Sequence, residues 1–533
     1  MGCGTSGRTN VSNPKGTLNA KQTDTLSSHP SGSAVESTPW LQEAKTLKQI
    51  LSPTTEKTRK TKIVCTIGPA CMGVDILVKM LDLGMNVARL NFSHGDHASH
   101  GKLVENIRAA LAQRPGKVCA ILLDTKGPEI RTGNLVNHAP VMLEEGQELF
   151  VSTDYSIEGT ASRIAISYSS LCTTVKKGST ILLADGSITL EVTQVMQDGV
   201  KTIVKNKSKL GEKKNVCLPG CVIDLPTTTE KDAIDIEQFG LRHNVDFIAA
   251  SFVRKARDVT EIKDLLGPRG AHIRIISKIE NKEGIQNFDS ILAVTDGIMV
   301  ARGDLGMEIP PEKVFLAQKM MIQKCIAAGK PVITATQMLE SMVSAPRPTR
   351  AEASDVANAV LEGTDAVMLS GETAGGSFPL QAVEIMAKIC IEAELYIDPI
   401  SEFKRTEKLA KKLDTNDSVC LAAVHAALEI KAKLIIVLTD RGESACKLAR
   451  FRPPMPIMAV SMNQATINQS GVVRGCIVVK VPSYEGRENL IRTAVNEGKK
   501  LKLLSQGDKV VAVFSLSEAD VNSANVMEIV QVE

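Results

Sequence analysis

The residues with chemistry to offer stand where short apolar runs end. In a strand, residues two apart face the same way, so ARLNFSHG sets Arg89, Asn91 and Ser93 on one side, and SKIEN does the same for Lys278 and Glu280. ARGDLG delivers Asp304 beside Gly303, a glycine whose backbone a ligand can approach closely; DTKGPEIRTG delivers Asp124, Thr125 and Arg131, and TATQ offers Thr336. A single Lys or Glu near a strand end reads as a solvated rim charge. Here the charges interrupt strongly apolar strands, where burial without a partner or ligand is costly. Cations, carboxylates and hydroxyls gathered from several strands suit a polyanionic substrate held with a divalent metal.

The elements that must position them follow from periodicity. From Lys62 onward, apolar runs alternate with helix-length amphipathic segments, the pattern of parallel βα units. The runs KIVCTIG, NVARLNF, VCAILLD, DFIAASF, IRIISKI, GIMVARG, PVITATQ and AVMLSGE make eight, which predicts an α/β fold with a (β/α)8 TIM barrel and its site at the strand ends. After the third run, residues 128–224 alternate as in STILLADGSITLEV and carry no long amphipathic helix, so they read as an inserted, β-barrel-like lid over the mouth. Beyond residue 396 the strands LIIVLTD, PIMAV, CIVVKV and VVAVF predict an open-sheet α/β domain. The expected divisions are a disordered tail at 1–44, barrel at 45–127 and 225–396, lid at 128–224 and a regulatory domain at 397–533.

Bulk composition narrows the function classes. With 63 basic and 60 acidic residues in 533, the net charge of +3 and an aromatic content of 3% argue against a nucleic-acid binder. The 12 cysteines are scattered; Cys217 and Cys221 come nearest to a metal spacing, with no second pair to complete a zinc site. A reducing, cytoplasmic setting fits. No run of about 18 apolar residues offers a membrane span, and the start is too polar for a secretory signal. Met1, Gly2 and Ser6 fit the myristoylation pattern and Cys3 could add a palmitoyl anchor, the two signals that stable attachment needs. Gly2–Thr9 imitates a phosphate-binding loop with Arg8 in the lysine place, but no strand precedes it.

The strings TKIVCTIGPA, MNVARLNFSHG, LLDTKGPEIRTG, IISKIENKEG, MVARGDLGMEIP, ATQMLESM and PRPTRAEASDVANAV resemble the pyruvate kinase family, and the resemblance runs from about residue 45 to the C-terminus. It implies transfer of the phosphoryl group of phosphoenolpyruvate to ADP, in a homotetramer that requires Mg2+ and K+. Glu280 and Asp304 would hold magnesium, Lys278 would neutralise charge on the moving group, and Arg89 would contact the phosphate. Backbone N–H groups at Gly303 and Asp304 would face the substrate carboxylate. Asn91, Ser93, Asp124 and Thr125 would form the potassium site, with Glu129 in the place that accompanies potassium dependence. Asn91, His94, Arg131 and Lys214 would bind nucleotide, and Thr336 would stand beside the carbon that is protonated.

In regulated relatives a sugar phosphate binds a loop of the type Thr-x-Ser-Gly-x-Ser. Here Thr439, Gly442 and Ser444 keep the frame while Asp440 and Glu443 oppose an anion, and the stretch Ser515–Asn522 lacks a Gly-Trp-Arg-Pro-Gly sequence. That leaves a sugar monophosphate effector, or none, ahead of fructose bisphosphate. Two competing readings are a nucleotide-independent barrel enzyme acting on phosphoenolpyruvate and a catalytically silent scaffold. The inserted domain with its basic loop opposes the first, and the retention of Arg89, Lys278, Glu280 and Asp304 opposes the second.

Overall fold

Eight apolar runs close into a parallel barrel in the computed structural model, which describes residues 47, 49–56, 58–411, 413–517, 522 and 524–533. Thr54–Glu533 form one unit and Met1–Pro53 another; the barrel, the insertion and the C-terminal domain all belong to the first. The tail 1–44, with the acylation positions Gly2 and Cys3, lies outside the described residues.

The barrel strands are β1 (Lys62–Thr66), β2 (Val87–Asn91), β3 (Ala120–Asp124), β4 (Phe247–Ala250), β5 (Arg274–Ile279), β6 (Gly297–Ala301), β7 (Val332–Ala335) and β8 (Ala366–Leu369). Each pairs in parallel with its sequence neighbour, and β8 closes on β1. They are covered on both sides, by helices outside and by one another's side chains inside, which is why they read as continuous apolar runs. Val87, Leu122, Phe247, Ile276, Met299 and Ile333 fill the interior. Val472, from the C-terminal domain, packs into the same cluster and plugs the floor. The preceding Gly471 makes this possible: a Cβ there would lie 2.7 Å from the Asn86 carbonyl oxygen.

Between β3 and β4 the chain builds a β-rich insertion with its own core of Leu149, Val151, Ile181 and Leu190. Its seven-stranded sheet runs Ile130–Arg131, Asn215–Cys217, Thr180–Leu183, Ile188–Val195, Gly199–Val204, Glu148–Ser152, Arg163–Ala165. A bridge between Thr132 and Ile166 brings its two outer strands together, so the sheet curls toward a barrel.

The C-terminal sheet has the order Cys476–Lys480, Ile457–Ser461, Leu434–Leu438, Lys509–Phe514, Val526–Gln531. The first four are the parallel strands expected from sequence. The fifth is antiparallel and was not among the runs, because its outer face is exposed and Glu528 interrupts it. This domain is tied to the barrel floor by Arg452, whose Nη1 lies 2.5 Å from Asp365 Oδ1, with both side chains buried. Asp365 in turn accepts from the Val332 N–H at 3.0 Å, so the pair braces the starts of β7 and β8. Among the described residues, no helix is long and apolar enough to cross a membrane. Arg452→Ala leaves the Asp365 charge buried without its partner, and the expected cost is about 3–5 kcal/mol. Thermal unfolding reads it, and a melting temperature within about 1 °C of wild type would contradict it.

Candidate active site

The strand pleat that fills the barrel with apolar groups also delivers polar groups to its mouth. Going up each strand by twos, Val87 leads to Arg89, Leu122 to Asp124, Ala249 to Ser251 and Ile276 to Lys278 and Glu280. These residues form one network. Arg89 Nε donates to Asp124 Oδ2 at 2.5 Å and its Nη1 donates to Thr66 Oγ1 at 2.9 Å. Lys278 Nζ donates to Asp124 Oδ1 at 3.0 Å and to Ser251 Oγ at 2.7 Å, and lies 3.0 Å from Glu280 Oε1. The Phe252 N–H, from a residue held at φ +55°, donates to Glu280 Oε2 at 2.5 Å.

Asp124 and Glu280 are almost completely buried, so their charges depend on these partners. Burial opposes ionisation of Asp124, but Arg89 and Lys278 outweigh it and hold its pKa below the usual carboxylate value. Burial likewise opposes the Lys278 charge, and Asp124 and Glu280 reverse that, raising its pKa above the ordinary lysine value. Lys278 is therefore a permanent ammonium at neutral pH. Asp304 behaves oppositely: burial first, and Glu280 second, push its carboxyl up to about 7.

Above the network opens a cleft of about 530 Å³ between barrel and insertion. Arg89, Asn91, Ser93 and His94 from the end of β2, Lys278 and Glu280 from β5, and Asp304 line its barrel side. Arg131 and Lys214 face it from the insertion. Arg131 is paired with Glu129 at 2.8 Å. Asp124 and Thr125 do not reach the cleft wall; they lie beneath it, with Asp124 in register with Asn91 and the Thr125 carbonyl accepting from Ser251 Oγ at 2.6 Å.

Asp304 stands in the short helix Arg302–Glu308 that follows β6. Gly303 before it touches Thr336: a Cβ on Gly303 would lie 2.8 Å from Thr336 Cγ2. Thr336 adopts φ +73°, and its carbonyl accepts from Arg302 Nη2 at 2.8 Å. Arg302 is clamped by both Asp355 oxygens at 2.7 Å. That explains part of the PRPTRAEASDVANAV string: Thr349 and Glu352 cap the helix Arg350–Glu362, and its Asp355 fixes the arginine that holds Thr336.

Sequence reasoning missed Ser251, the Phe252 amide and the Arg302–Asp355 pair. Ser251 was accessible, since it lies two residues beyond the inward-facing Ala249; the others depend on loop geometry that strand alternation does not describe.

The loop at 439–444 has its amides satisfied partly from within and partly by Asn522. Thr439 and Ser444 are fully buried, and the Gly442 N–H donates to Thr439 Oγ1 at 2.9 Å. The N–H groups of Asp440 and Arg441 both donate to Asn522 Oδ1, at 3.2 and 2.9 Å.

Comparison with known proteins decides the family. A family model described as the pyruvate kinase barrel domain matches residues 58–383, and one described as the pyruvate kinase alpha/beta domain matches residues 417–530. The chain belongs to the pyruvate kinase family. It is 55% identical over 475 residues to pyruvate kinase of Eimeria tenella, covering 89% of this chain and 90% of that protein. It is 48% identical over 484 residues to the cytosolic pyruvate kinase isozyme of Glycine max, covering 87% and 94%. The crystal structure of a pyruvate kinase from Cryptosporidium parvum superposes with a TM-score of 0.87 at 46% identity, covering 91% of this chain and 99% of that one. Pyruvate kinase is a phosphotransferase, and the scaffold reading is set aside.

Proposed function

We propose that this pyruvate kinase moves the phosphoryl group of phosphoenolpyruvate to ADP in the cleft above the barrel. The observation that supports this is the buried network that sets the Lys278 ammonium and two acids, Glu280 and Asp304, around one space. A terminal oxygen of ADP forms the new bond to phosphorus as the bond from phosphorus to the enol oxygen breaks, with charge spread over the moving group. Lys278, kept protonated by Asp124 and Glu280, stabilises that charge electrostatically and takes no covalent part. Arg89 contacts the phosphate, and the backbone N–H groups of Gly303 and Asp304 receive the substrate carboxylate. Arg131 and Lys214 from the insertion, with Asn91 and His94, hold the nucleotide. The enolpyruvate left behind takes a proton at carbon beside Thr336, through water, because a threonine hydroxyl is too weak an acid to act alone.

Glu280 and Asp304 fit a divalent cation. A carboxyl pushed up to about 7 by burial and by a neighbouring carboxylate belongs to a pair whose repulsion a cation would relieve. Among the described residues no three His, Cys, Asp or Glu side chains gather into a cage, which suits magnesium, since it takes one or two carboxylates and fills its shell with water and ligand oxygens. When bound, magnesium neutralises and orients the phosphoryl oxygens. Asn91, Ser93, Asp124 and Thr125 offer the all-oxygen set for potassium, from the ends of two neighbouring strands on which Asn91 and Asp124 are in register.

The enzyme is cytoplasmic and homotetrameric in this reading, with membrane attachment only through acylation of Gly2 and Cys3. A sugar-phosphate effector at Thr439, Gly442 and Ser444 would have to displace the Asn522 side chain from the Asp440 and Arg441 N–H groups.

Pyruvate formation from phosphoenolpyruvate, measured with a coupled assay, requires ADP, magnesium and potassium together. Pyruvate released equally without ADP would overturn the transfer, and turnover unchanged in potassium-free buffer would overturn the monovalent site. Lys278→Met lowers turnover at least about a hundredfold; comparable turnover in that variant would contradict the electrostatic role.

A further inference from the structure

Phosphoryl transfer by these groups leaves Glu308, one of the acids that line the cleft, without a part. Glu308 ends the helix Arg302–Glu308, four residues after Asp304 and therefore on the same helix face. Its Oε1 accepts from the Cys217 thiol at 3.1 Å. One residue earlier, Met307 Sδ meets Asn215 Nδ2 at 3.8 Å. Both partners lie on the insertion strand Asn215–Cys217. That strand pairs with Ile130–Arg131, with Asn215 opposite Arg131, and Lys214 immediately precedes it. Two of the cations assigned to the nucleotide thus ride on one strand pair, and that pair rests on the helix that carries Asp304.

We propose that Glu308 is a positioning residue for the nucleotide, a latch that docks strand Asn215–Cys217 on the barrel and so sets Arg131 and Lys214 opposite Lys278, Glu280 and Asp304. Cys217, Gly220, Lys282 and Glu308 all line the catalytic cleft, so the latch closes at the reacting space. The segment by which the insertion returns to the barrel is held separately by Arg254, which donates to the Ile223 and Leu225 carbonyls. Burial raises the pKa of Glu308, and the Cys217 thiol and the backbone amides of Lys282 and Gly220 offset part of that rise. The carboxyl thus meets the Cys217 thiol of the insertion and lines the cleft with Gly220 and Lys282. A free surface acid would have no such set.

The latch rests on the reading of this cleft as the site of transfer to ADP, and full-length enzyme tests the two separately. Steady-state kinetics are measured for both substrates in Glu308→Ala, Cys217→Ala, the double variant and Glu308→Gln. Each alanine variant raises the KM for ADP about five- to tenfold, the scale of one lost hydrogen bond in a water-excluded site. The KM for phosphoenolpyruvate and the melting temperature stay near wild type. The double variant is no worse than the poorer single one, because both changes break the same contact, and Glu308→Gln, whose amide oxygen still accepts from the thiol, recovers most of the loss. An ADP KM within twofold of wild type in both alanine variants overturns the latch, as do multiplicative losses in the double variant or an equal rise in both KM values. Failure of the wild-type enzyme to use ADP would instead overturn the transfer reading itself.

Discussion

Everything at the barrel mouth depends on one buried carboxylate. Asp124 has no exposure to solvent, so its charge persists only because Arg89 holds one oxygen and Lys278 the other. The dependence runs both ways. Lys278 is itself buried, and without Asp124 and Glu280 desolvation would favour its neutral form. A compact set of alternating charges is thus stable in the folded barrel in a form in which none of its members would be stable alone. Its exposed edge is an ammonium beside two acids, and that edge is what a phosphoryl group needs.

The rest of the fold keeps this set in place. The interior below it is filled by side chains and closed at the bottom by Val472, which leaves no room for β2, β3 and β5 to shift independently. Arg274, at the start of the strand that carries Lys278 and Glu280, donates to Gln469 Oε1 at 2.9 Å and to the Arg441 carbonyl. The loop 439–444 therefore stands on the foot of the catalytic strand. That loop also lies at the point where the C-terminal sheet reverses its strand order, between Leu434–Leu438 and Lys509–Phe514, the usual ligand crevice of open sheets. Here the crevice holds the Asn522 side chain.

Much of this was legible in the sequence because buried parallel strands leave a plain signature. Eight apolar runs gave eight barrel strands, and counting by twos grouped Arg89 with Asn91 and Ser93, and Lys278 with Glu280, all of which line the cleft. The antiparallel strand Val526–Gln531 left no such trace, since one of its faces meets water. Spacing also said nothing about depth: Asp124 and Thr125 lie under the cleft while Asn91 and Ser93 open onto it. Contacts across domains were invisible for a further reason. Nothing local in VCLPG or DLGME announces that Cys217 and Glu308 meet, because their approach is set by the packing of the insertion over the barrel.

The most direct test of the central interaction is the turnover of Asp124→Asn, a substitution that keeps the size, removes the charge and leaves only one oxygen to accept. With Arg89 and Lys278 left without their shared partner, kcat/KM for phosphoenolpyruvate falls at least about a hundredfold while the protein stays folded. Turnover within a few-fold of wild type would show that the ammonium and guanidinium are held by something else, and the account would be wrong at its root.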